Sequence, residues 1–228
     1  MKLDGVLAIR ESWCLPGEPV LLCAGTTASS TRYDLTGLDW QGRPERGALG
    51  KVAGAFGNAA AGVVDAAFAG SGPEDGGADA PHVVVWGPQA AGIATRLCQP
   101  VPGVSWLVLT PRRLAQVTLV EEPAEPEQER GFLDRVSGFA KSARDVFSGK
   151  SAYPPHVPVA TAEVTTVAEV PREHIGAVSL AERKLPRQYQ ARDVHALRVS
   201  FVDGTGIDVL TSSPENAHRL LAMANGQG

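Results

Sequence analysis

Apolar and polar positions alternate most cleanly near the C-terminus. Leu197, Val199 and Phe201 alternate with Arg198 and Ser200, a period of two that marks a half-buried strand. Asp203-Gly204 follows and predicts a tight hairpin turn, because a primed turn requires positive φ at its centre. Ile207, Val209 and Thr211 resume the alternation, and Gly206 is placed to absorb a bulge. Ser212 or Ser213 can then accept hydrogen bonds from the first free amides of a helix. Pro214 sits where a missing N–H costs nothing, and Glu215 suits the positive end of the helix dipole. Ala217, Leu220, Leu221 and Ala224 fall on one helical face, and Gly226 stands where a left-handed cap is expected. A helix this short is held by packing more than by propensity, so it is expected to plug the open end or face of a sheet.

Further strands are predicted upstream. The apolar runs 20–24 and 83–86 read as buried strands. Trp106, Val108 and the run 114–120 read as two strands joined by the turn Thr110-Pro111-Arg112-Arg113. Residues 164–170 and 175–180 give two more, turning at 171–174, and 182–193 is polar. Residues 25–47 read as loop with a strand at 31–35. Another strand is expected around 96–99, and 3–13 is a strand or a short amphipathic lead-in.

Two segments instead show helical spacing. In 48–70, Leu49, Val52, Phe56, Val63 and Phe68 share a face that is otherwise small residues. In 131–148, Phe132, Leu133, Val136, Phe139, Ala140, Ala143, Val146 and Phe147 oppose Asp134, Arg135, Lys141, Arg144 and Asp145. Large side chains on a small-residue surface predict that the two helices pack as a pair. A membrane span needs about 20 apolar residues, and Lys51, Asn58 and Asp65 oppose one at 48–70.

Several short motifs together resemble the bacterial pleckstrin-homology-like (PH-like) domains, whose superfamily also holds the GRAM domains. They are Leu15-Pro16-Gly17-Glu18, Leu109-Thr110-Pro111-Arg112-Arg113-Leu114, the strand 175–180, the Asp203-Gly204 hairpin and the helix from Pro214. The resemblance implies an α+β fold: a bent, seven-stranded antiparallel sandwich with a C-terminal capping helix. The whole chain, 1–228, would be one domain with insertions at about 25–82 and 123–162. The basic cluster of phosphoinositide binders has no counterpart; only Arg32, Arg43 and Arg46 lie nearby, among acids. Headgroup specificity therefore does not carry over.

Composition narrows the function. The 228 residues are 43% hydrophobic, enough for a core, and the net charge of −4 argues against nucleic acid as a partner. Cys14, Cys23 and Cys98 are odd in number and lack C-x-x-C spacing, which points to free thiols in a reducing cytoplasm. No secretory signal is read at the N-terminus. The glycines of 47–62 lack the Lys-Ser/Thr of a phosphate loop. No cofactor or metal is expected. Candidate binding residues are Arg112 and Arg113 on their turn, and Phe132, Arg135, Phe139, Lys141 and Arg144 on the second helix. The expected function is a non-catalytic binding or scaffold module, with a partner protein contacted through an inserted helix or the strand edges. One alternative is peripheral attachment at the inner membrane face through 131–148. Another is a small enzyme using His174 or His195, although neither has a partner at ligand spacing.

Overall fold

The computed structural model describes residues 5–45, 79–120 and 160–227. The helices expected within 48–70 and 131–148 fall outside these, as do Phe132, Arg135, Phe139, Lys141 and Arg144. The chain opens with α1 (Gly5–Ala8), continued by a π turn over Ile9–Trp13. Then come β1 (Leu22–Thr27), β2 (Thr31–Leu35), β3 (Val83–Gly87) and α2 (Ile93–Leu97). Next are β4 (Val104–Leu109), β5 (Arg113–Leu119), β6 (Val164–Pro171), β7 (Ile175–Lys184), β8 (Asp193–Phe201), β9 (Gly206–Thr211) and α3 (Pro214–Ala224).

The strands make two sheets. One is four-stranded in the order β1-β4-β5-β6, and the other is five-stranded in the order β2-β3-β9-β8-β7. Every pairing is antiparallel except β2 with β3, which run parallel. Among the described residues, nine strands and a parallel pair thus stand where the resemblance implies seven antiparallel ones. With β2 and β3 set aside, a four-stranded meander is followed by a three-stranded meander and then by α3.

Alternation decides what each strand buries. Tyr33 and Leu35, Val83 and Val85, Leu197, Val199 and Phe201, and Ile207 and Val209 turn inward to meet Leu22, Leu107, Leu109, Leu114 and Val170. This cluster draws on all three described stretches. A second, smaller cluster seats the N-terminal turn: Ala8 and Ile9 are fully buried with Val108, Ala115, Val117 and Val164. The helix α3 forms as its caps dictate. The Ser213 hydroxyl accepts from the Asn216 amide, Pro214 opens the first turn, and Gly226 closes the end at φ +73°. Ala217 and Ala224 are buried while Leu220 and Leu221 pack on the core. The helix lies on β7, β8 and β9 and also reaches β1, so it touches both sheets.

Three local expectations are corrected. The strand expected at 96–99 is absent, and α2 covers its first half. Its first amides are capped by distant side chains: Ile93 N–H donates to Asp203 Oδ2 (2.7 Å) and Ala94 N–H to Thr205 Oγ1 (3.1 Å). The β8–β9 turn is centred one residue early. Gly204 N–H donates to Phe201 O (3.1 Å) and Phe201 N–H to Thr205 O (2.8 Å), so Val202-Asp203 form the turn and Gly204 follows it at φ +79°. The Asp203 carboxylate, which also accepts from Thr205 N–H (3.0 Å) and Oγ1 (2.7 Å), holds this geometry. Gly206, expected at a bulge, pairs in register with both Ser200 and Trp86. A Cβ there would lie 2.3 Å from Trp86 Cζ2, so close approach of the indole is what demands glycine.

Gly204→Val should lower the unfolding free energy by more than about 1 kcal/mol, because a β-branched residue resists positive φ. Urea titration of both forms measures this. An unchanged midpoint would contradict the turn geometry.

Candidate functional site

Arg112 and Arg113 lie at the β4–β5 turn in different circumstances. Arg112 is exposed. The Arg113 guanidinium donates to Glu169 Oε2 (3.0 Å), lies 3.7 Å from Glu18 Oε2 and stacks 4.1 Å from the centre of the Trp13 ring. It clasps the entry segment against β5 and β6. Burial pushes the Glu18 carboxyl up, but the Leu15 amide and the Arg113 charge bring it below the ordinary glutamate value.

The two sequence-flagged histidines do not come together. His174 sits at the β6–β7 corner and lines a cleft with Arg96 and Glu169. His195, on β8, has Nδ1 4.0 Å from Glu182 Oε1 and faces a groove beside α3. The thiols are held protonated at neutral pH. Burial pushes Cys98 up to about 12, burial and the neighbouring Cys14 push Cys23 up to about 11, and burial raises Cys14. Among the described residues, no group of three His, Cys, Asp or Glu side chains could hold a metal ion, and no helix is long and apolar enough to cross a membrane.

The most concentrated electrostatics have no local signature in the sequence. Asp208, on β9, is fully buried and ion-paired with two arginines. Its Oδ1 accepts from Arg198 Nε (2.7 Å) and Trp86 Nε1 (3.0 Å), and its Oδ2 from Arg198 Nη2 (2.8 Å) and Arg183 Nε (2.7 Å). Arg183 Nη1 reaches on to Asp34 Oδ2 (2.7 Å), and the Arg198 guanidinium lies 4.8 Å from the centre of the Trp86 ring. Every strand of the five-stranded sheet contributes one member. A buried carboxylate is tolerable only with such complete pairing. Beside it, the stretch expected to be polar buries Leu185 and Tyr189 with Val194, against Trp40 and Leu210. Tyr189 Oη accepts from Arg32 Nε (3.0 Å) and Trp40 Nε1 (2.8 Å). The available signal was the register: once the hairpin is set, Arg198 stands directly opposite Asp208.

The outer edge of β7 is the accessible feature. This ten-residue strand ends the five-stranded sheet, and no described strand pairs with its far side. A groove of about 300 Å³ runs between it and α3. Leu180 and Ala181 form one wall and Pro214 and Ala217 the other, with Glu182, His195 and His218 as polar members. Of the other edges, β2 is met at Tyr33, whose amide donates to Trp40 O (3.1 Å), while α2 packs against β6 and α3 touches β1 as it does β7. No protein-family model, curated protein or solved structure matches the chain.

Two predictions test these electrostatics. Asp208→Ala strands Arg198 without its counter-charge, leaves Arg183 only Asp34, and should cost about 3 kcal/mol, read by urea denaturation. For Asp203, burial pushes the carboxyl up, but bonds from the Ile93 amide and from Thr205 outweigh it, leaving the group below its ordinary 3.8. Its stabilising contribution is therefore complete above that value and is lost as pH falls through the lower folded value. Asp203→Asn should be less stable than the parent at pH 6, and the gap should narrow in melts run progressively below pH 4.

Proposed function

We propose that the chain is a non-catalytic binding module of PH-like architecture, which takes an extended segment of a partner protein along the outer edge of β7. The architecture is supported by connectivity: a four-stranded meander, a three-stranded meander and a helix, with β2 and β3 added to the free side of β9. The observation that carries the function is the open β7 edge beside the α3 groove. Such an edge presents an unpaired row of N–H and C=O groups, a template for one more strand. Main-chain hydrogen bonds would hold the incoming segment. The alternation of its side chains would place every second one toward the apolar walls at Leu180 and Ala217. This recognition needs hydrogen bonds and apolar contact but no reacting group.

Peptides selected from a random displayed library against the full chain test the reading. They should slow hydrogen exchange of amides within 175–184, and Leu180→Lys should weaken their binding at least tenfold without moving the melting temperature. Selected peptides that protect another surface, or that bind the Leu180→Lys variant undiminished, would overturn it.

A further inference from the structure

A second cleft, of about 520 Å³, opens between α2, β6 and the β8–β9 turn. That volume falls in the range of pockets that accept small organic molecules. Its walls are largely apolar: Ile93 and Leu97 from α2, Ala168, Val170 and Pro171 from β6, and Val202 from the turn. The polar groups differ in how far they are committed. The Glu169 carboxylate accepts from Arg113 at 3.0 Å, so its charge is offset from outside the cleft. The Gln99 side-chain amide donates to Arg96 O (3.0 Å). Arg96 makes no side-chain hydrogen bond or salt bridge with any described residue. Its charge is felt by Asp203, whose carboxylate oxygens are already bonded by the Ile93 amide and by Thr205. Among the described residues, then, the exposed Arg96 guanidinium carries no direct hydrogen bond or ion pair, and it lines one largely apolar cleft with the exposed His174 imidazole.

We propose that this cleft is a binding site for a small amphiphilic carboxylate, a molecule with one anionic head and a medium-length apolar body. The head would pair with Arg96, whose guanidinium can meet both carboxylate oxygens, and His174 would supply a second donor. The body would lie along the α2 and β6 walls, where displacement of water from apolar surface favours binding. The sign follows from the donors that line the cleft: Glu169 is engaged by Arg113, whereas Arg96 and His174 offer donors to an anionic head. This site stands apart from the β7 groove and does not depend on it.

The test is titration of the isotopically labelled full chain with decanoate below its micellar concentration, followed by amide chemical shifts. Parallel titrations use decylammonium and inorganic phosphate. Decanoate should shift amides of 93–99, 168–174 and Val202 saturably, with decylammonium and phosphate each binding at least tenfold more weakly. Arg96→Gln should weaken decanoate at least tenfold with an unchanged melting temperature, while Leu180→Lys should leave it unaffected. Equal binding of decanoate and decylammonium would mean apolar contact alone and would overturn the proposal. So would phosphate binding as tightly as decanoate, shifts dispersed over the surface, or an Arg96→Gln variant that binds as the parent does.

Discussion

Asp208 sets the terms for the five-stranded sheet. A carboxylate with no exposed surface must have its charge met by the protein, and here two guanidinium groups and an indole meet it. Removing either arginine leaves the buried carboxylate short of counter-charge. The partners come from β3, β7 and β8, and Arg183 carries the chain of contacts to Asp34 on β2. Strand order and strand charge are thereby linked, because a slip of one residue along β9 would turn Asp208 toward the apolar core. The fixed register in turn leaves β7 at the edge with α3 alongside.

A second constraint joins α2 to this frame. The Asp203 and Thr205 side chains leave the β8–β9 turn to cap α2, so one loop both reverses the chain and starts a helix elsewhere. The Tyr33 hydroxyl adds a tie, donating to Cys98 O at 3.0 Å just beyond α2. The wall of the second cleft is thus positioned by bonds that reach across the whole sequence.

The pattern of residues revealed what depends on neighbours. The alternation from Leu197 to Thr211, the Ser213 cap, Pro214 and Gly226 all act within a few positions; α3 forms where they indicate, and the hairpin turns one residue earlier than Asp203-Gly204 suggests. What depends on distant partners stayed hidden. The start of α2 is capped from Asp203 and Thr205, and nothing between 89 and 103 announces it. Asp208, lying between Ile207 and Val209, reads as a solvent-facing residue until Arg198 is found opposite. The strand at 175–180 was visible, but its continuation to Lys184 was masked by Glu182, Arg183 and Lys184. Its place at the edge follows only from sheet order, and the β2–β3 parallel pairing likewise has no local signature.

The connection from β2 to β3 has a thermodynamic consequence. Parallel strands require a crossover of at least about a dozen residues, and the chain spends residues 36–82 between them. The entropy of closing a flexible loop rises only logarithmically, by about 0.6 kcal/mol for each doubling of length. Once the ends are fixed by pairing, added chain weighs little against the core that holds them. The same holds between β5 and β6, where residues 120–163 intervene. By that arithmetic the entropy of bringing either pair of strand ends together depends only weakly on the number of residues between them.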